Sequence, residues 1–180
     1  MKVYVKHAVV FFLCFCTMVS CVEEQDFGQY DDLSLTPTVE ASILYIESPE
    51  SFINAAGDVD IISRNFNFDA FSSDVFAKRV LDGTITYIVE NTTSKPVNVV
   101  VELLNADGEV IDREEIVTTP GMDIQTDIAY GNSGKNINII KFTSSIRVTA
   151  TNEGDSTSTS DLPDPKIILK SSGKFRLNIK

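Results

Sequence analysis

Thiols and imidazoles are confined to the first twenty-one residues of this chain. The cysteines are Cys14, Cys16 and Cys21, the one histidine is His7, and tryptophan is absent. Cys14 and Cys16 lie inside an uncharged apolar run. Cys21 instead follows the small residue Ser20, just where the run gives way to Glu23, Glu24 and Asp26. Beyond Cys21 no imidazole can take a proton from a serine, and no Cys–His nucleophile can form. Zinc, haem and iron–sulfur ligation through those side chains is equally closed, so no cofactor and no metal are expected. What remains is carboxylate, lysine or tyrosine chemistry, such as glycoside hydrolysis by paired acids. Twenty-six acidic residues produce pairs by chance, so no catalytic residue is assigned and a non-enzyme is expected.

The element that positions Cys21 is an export leader. Lys2 and Lys6 give a positive start, and residues 8–19 (AVVFFLCFCTMV) carry no charge. A bilayer-spanning helix needs about 20 apolar residues; this run has the length of a signal-peptide core, about 7–15. Met18-Val19-Ser20-Cys21 resembles the lipobox of bacterial prolipoproteins, with Met18 where that family usually has Leu. The resemblance implies cleavage between Ser20 and Cys21, a diacylglyceryl group on the Cys21 thiol, and acylation of the new amino terminus with a fatty acid such as palmitate. The wider resemblance, through the leader, the lipobox and the acids after it, is to small lipoproteins of the Bacteroidetes type. It implies an outer-membrane location on the periplasmic or the cell-surface face, with Glu23, Glu24 and Asp26 as a surface-export signal. In the same family Asp155-Ser156-Thr157 resembles an O-glycosylation motif that would modify Ser156.

Removing the leader leaves Cys21–Lys180, 160 residues in which thirteen basic side chains face all twenty-six acids, a net charge of −13. That is a single-domain length, long enough for a core without disulfides. The charge repels phosphate backbones and anionic headgroups. Nucleic acid is therefore excluded as a partner, and the lipid must hold the protein at its membrane. The expected organisation is a leader over 1–20, a lipidated acidic tether over 21–37 and a β-domain over 38–180.

Period-two alternation supplies the domain. Val39, Ala41, Ile43 and Tyr45 share one face, and a second strand fits Asp60–Asp69. Ser73–Leu81 fits either a short helix with Ser73 as its N-cap or an irregular connection. Ile85, Tyr87 and Val89 alternate next. Val97–Leu104 is apolar on nearly both faces, which predicts a central strand. Asn105-Ala106-Asp107-Gly108 is a hairpin turn; with Glu109 it also has the oxygens of a partial calcium loop. Glu109–Val117 carries Asp112, Arg113, Glu114 and Glu115, the charge pattern of an edge. Met122–Tyr130 alternates cleanly, Ile137–Thr151 reads as one long or two short strands, and Lys166–Lys170 and Phe175–Ile179 read as two more. Asn91-Thr92-Thr93 fits an N-glycosylation pattern and reads as a turn. Asp31-Asp32 and Asp58 with Asp60 read as solvated acids, and Asn152–Pro165, rich in Ser, Thr, Asp and Pro, as a mobile loop. About seven to nine short strands predict an antiparallel sandwich, which resembles immunoglobulin-like and fibronectin type III-like modules in strand count and spacing. The function expected is a lipid-anchored, non-catalytic binding or accessory module meeting an envelope protein or glycan. A carboxylate-dependent hydrolase of envelope polysaccharide is the alternative.

Overall fold

A computed structural model describes residues 34–56, 62–132 and 134–179. Ser20, Cys21, Glu23, Glu24, Asp26, Asp31, Asp32, Asp58 and Asp60 lie outside the described residues. The strands are β1 (Thr38–Pro49), β2 (Ile62–Asn67), β3 (Val80–Asn91), β4 (Val97–Leu104), β5 (Val110–Thr118), β6 (Met122–Tyr130), β7 (Ser145–Asn152) and β8 (Lys166–Leu177). Between them stand four short helices, α1 (Glu50–Ala56), α2 (Asp69–Ser72), α3 (Asp74–Ala77) and α4 (Ile137–Phe142).

Eight strands in two four-stranded antiparallel sheets make the sandwich that the alternation predicts. The first sheet runs β1-β8-β3-β6 and the second β2-β7-β4-β5. Consecutive strands from β1 to β4 alternate between sheets, and each sheet places the last strands beside the first. That is the two-Greek-key order of an eight-stranded jelly roll, an order that strand spacing alone does not reveal.

The core lies between the inner faces. Ile85, Tyr87 and Val89 of β3 with Ile167, Leu169 and Phe175 of β8 meet Val97, Val99, Val101 and Leu103 of β4 and Ile146 and Val148 of β7. β4 is central, between β7 and β5, as its apolar faces predict, and β5 is an edge, as its charges predict. At one end Phe175 packs edge-on against Phe71 and Phe76, with ring centroids 5.2 and 5.3 Å away, and α2 and α3 form a lid over it.

Four local expectations are corrected. In β1 the pairing with β8 slips between Ser42 and Leu44. This bulge at Ile43 inverts the side-chain alternation, because a one-residue offset exchanges the faces. Leu44 and Ile46 therefore pack on the core, and Tyr45 points out to solvent. The expected helix at Ser73–Leu81 shrinks to α3, since β3 already begins at Val80. Ile137–Phe142 is helical despite its β-branched residues: the Asn136 side chain caps it by accepting the Asn138 N–H at 2.9 Å, and Ile140 is wholly buried. Lys166–Leu177 is one strand, with Ser171-Ser172-Gly173 inside it. Gly173 is needed there because a Cβ would come within 2.6 Å of the Phe175 ring.

Candidate binding groove

The sandwich has two long sides where an edge strand of one sheet faces an edge strand of the other, and they are built differently. On the β5–β6 side, Asp112 and Glu114 of β5 meet Lys135, which follows β6. Lys135 Nζ donates to Asp112 Oδ1 at 2.6 Å and to Glu114 Oε1, while Tyr130 Oη donates to Asp112 Oδ2 at 2.8 Å. Burial, reinforced by Tyr87 and the Asp112 hydrogen bond, pushes the Tyr130 hydroxyl far above its ordinary pKa. Burial also raises Tyr87, with Asp112 and Glu114 adding to it. Partial burial would lower Lys135, but its bonds to Asp112 and Glu114 overcome this and hold the ammonium charged. These groups form a clasp that closes the side. Both of its carboxylates accept from Lys135, and Asp112 accepts from Tyr130 as well.

The β1–β2 side is open. A groove of about 460 Å³ runs between the two strands, lined by Tyr45, Ile46, Pro49 and Phe52 on one wall and Arg64 and Phe66 on the other. Tyr45 is 62% and Phe52 69% exposed, unusually high for large aromatic side chains. Tyr45 Oη donates to Glu47 Oε2 at 2.9 Å, a bond that raises the phenol's pKa and fixes the ring at the rim. Tyr45 also lines a second depression of about 320 Å³ on the outer face of the first sheet, with Ser42, Thr86, Ile88, Lys170 and Ser172. An edge strand carries a row of unpaired N–H and C=O groups and is usually blunted by charge. In twelve residues β1 has only Glu40 and Glu47, whereas nine-residue β5 has four charges.

The sequence positions Phe52 through a buried polar cluster. Glu50 and Ile53 face inward on α1, so Phe52 between them must face out. The Glu50 carboxylate is 2% exposed and accepts the Ser94 N–H and Oγ–H, both at 2.6 Å, and the Ser160 N–H at 2.8 Å. Burial alone would raise its pKa; the hydrogen bonds from Ser160 and Ser94, with Lys95 nearby, outweigh that and hold it below the usual carboxylate range. Lys95, among the residue types least often fully buried, has a wholly buried side chain. Its Nζ donates to Ser158 O at 2.7 Å and Ser158 Oγ at 2.8 Å and lies 3.6 Å from Asp155 Oδ1. The loop over 153–165, expected to be free, is therefore tied to α1 and to the β3–β4 turn. A shallow depression of about 310 Å³ beside it holds Glu50 and Asp164. Glu50 is committed to its serines, and Asp164 pairs with Lys166 at 2.6 Å.

Ser156 sits exposed in this loop. Asp155 Oδ1 accepts the N–H groups of Thr157 and Ser158 at 2.7 and 2.6 Å, turning the backbone so that Ser156 projects. Those hydrogen bonds depress the Asp155 carboxyl strongly. In the Asn105–Glu109 hairpin, Asn105 Oδ1 accepts the N–H groups of Asp107 and Glu109, and Gly108 takes a φ of 80°. The Asn105 side-chain oxygen is thus part of the turn. Among the described residues no three acids gather as a metal site. Asn91 is fully buried, and its Nδ2 donates to Lys95 O at 2.8 Å. Sequence reasoning missed the groove because it placed Tyr45 on the wrong face and left α1 unread.

No family model matches the chain, and no curated protein matches it. Among solved structures, it is similar to a Bacillus endospore appendage protein from disulfide-linked pili, with 12% identity and a TM-score of 0.41 over 79% of this chain and 91% of that one. It is also similar to the Tobacco streak virus coat protein, with 7% identity and a TM-score of 0.37 over 79% of this chain and 88% of that one. A third is the infectious bursal disease virus VP2 protein, with 12% identity and a TM-score of 0.35; the match covers 82% of this chain but only 33% of VP2. None of these similarities bears on what the chain binds or does.

Proposed function

We propose that this chain is a lipid-anchored, extracytoplasmic, non-catalytic binding module of the bacterial cell envelope. Cys21 tethers it to the outer membrane, and its β1–β2 side takes an extended polypeptide segment. The observation that carries the reading is the contrast between the two sides: one clasped by Lys135, the other open, weakly charged and rimmed by exposed Tyr45 and Phe52. Strand addition to such an edge draws affinity from main-chain hydrogen bonds and specificity from pockets for alternate side chains. The groove offers such pockets between Ile46 and Phe66. In support of the non-catalytic reading, the acids that gather at the clasp and beside α1 are consumed by internal bonds.

The test is the native size of the protein extracted from its own membranes in mild detergent. Wild type runs larger than its own mass plus micelle. The Tyr45→Lys/Phe52→Lys variant runs as the free lipoprotein, and Asp127→Lys on the far edge leaves the complex intact. Equal behaviour of the two variants contradicts the groove. Cys21→Ser is either released into the soluble envelope fraction or left with its leader uncut; wild-type protein found soluble, or a mature mass without lipid, contradicts the anchor.

A further inference from the structure

We infer that the end of the sandwich built by α2, α3 and α4 rests on the lipid surface that carries the protein's own anchor; this rests on the reading of Cys21 as lipidated. Residue 34, where the described chain begins, lies at this end. Leu35 and Ile179 exchange backbone hydrogen bonds there, at 3.2 and 2.8 Å, beside the start of β1. Twelve residues separate Cys21 from Ser34, a reach of at most about 45 Å. The chain therefore runs towards its anchor from this end of the sandwich and not from the opposite one.

The surface there has the composition that an interface requires. Val75 on α3 and Phe142 on α4 are 67% and 62% exposed, and the bridged pair Leu35 and Ile179 is exposed at the same end. Neither Val75 nor Phe142 contributes to the core, which the neighbouring Phe76 and Ile140 serve instead. Lys78, Arg79 and Lys141 accompany them against Asp69 and Asp74, and Asp74 is neutralised by Lys78 at 2.9 Å. In a chain of net charge −11 this patch is close to neutral, with three basic side chains against two acidic ones. Asp107 and Glu109 project at the same end, but from the β4–β5 hairpin across the second sheet. The opposite end carries Glu50, Glu153, Asp155, Asp161 and Asp164 against Lys95 and Lys166. Apolar side chains flanked by lysine and arginine bind the boundary between headgroups and acyl chains, and anionic lipid strengthens the contact. In this orientation β1 rises from the membrane, and the groove at its far half faces outward.

The experiment uses the lipidated protein in vesicles of phosphatidylethanolamine and phosphatidylglycerol containing brominated acyl chains. A bimane dye is attached at Phe142→Cys or at Phe52→Cys. Both sites are exposed, and a thermal melt of each variant checks the fold. Emission lost at 142 and retained at 52 is expected, with the loss at 142 reduced by Arg79→Glu/Lys141→Glu. Floating protein with equal emission at the two sites overturns the contact and leaves the anchor standing. Protein that does not float with the vesicles overturns the anchor, and the contact with it.

Discussion

The carboxylate of Glu50 accepts the backbone N–H of Ser160 at 2.8 Å, across 110 residues of chain. This bond, with those to Ser94, joins α1 to the loop over 153–165 and so sets the angle at which Phe52 leaves the surface. Glu50→Ala strips three donors of their acceptor, and each buried donor left unsatisfied costs about 1–3 kcal/mol. Chemical unfolding should show a loss of at least about 3 kcal/mol, and limited proteolysis should newly cut between 153 and 165. A variant as stable and as resistant as wild type would show the cluster to be ornamental.

The same carboxylate sets a pH dependence. Its folded-state pKa lies below the unfolded value, so its contribution is complete above the ordinary carboxylate pKa of about 4 and disappears as pH falls through the folded value. Asp82, held down first by its Arg176 hydrogen bond, acts in the same direction. Unfolding free energy should be flat near neutrality and decline below about pH 4. Glu50→Gln should start lower and decline less steeply; parallel curves for the two proteins would contradict the assignment.

Phe175 packs against two glycines. A Cβ at Gly83 would lie 2.2 Å from its Cδ1 and 2.5 Å from Lys174 O, and one at Gly173 would lie 2.6 Å from its Cε2. Gly173→Ala should cost about 1–3 kcal/mol, the usual penalty of overpacking, and Phe175→Leu should recover part of it by making room. Gly83→Ala meets backbone as well as ring and should cost more, without rescue. Thermal melts of the four proteins check the order.

Ser156 is exposed in a turn held by Asp155, with its hydroxyl open to a modifying enzyme. We predict a hexose-sized or larger mass increment on the protein isolated from its own host, lost on Ser156→Ala and on Asp155→Ala. Identical masses for wild type and Ser156→Ala would remove the modification.

What the sequence revealed follows from how local each feature is. The run Val97–Leu104 announces a central strand because it is apolar on nearly both faces, one buried and the other half-buried, and Asp112–Glu115 announces an edge because charge protects it. The bulge at Ile43 has no local signature, since it depends on the partner strand β8, and with it the outward turn of Tyr45 stayed hidden. The helix over Ile137–Phe142 runs against its β-branched composition, and only burial of Ile140 and the Asn136 cap explain it. Lys166–Lys170 and Phe175–Ile179 read as two strands, and Gly173 between them is instead a seat for Phe175 inside one. The groove was illegible because its two walls, at Tyr45–Phe52 and at Arg64–Phe66, meet only through the strand order of two different sheets.

The most direct test of the binding reading is site-specific photo-cross-linking in intact cells, with a photoreactive phenylalanine at Phe52, at Tyr45 or, on the clasped side's outer edge, at Asp127. The account predicts one discrete cross-linked protein band from positions 52 and 45 and none from 127. Cross-links of equal yield from all three positions, or a band from 127 alone, would contradict it.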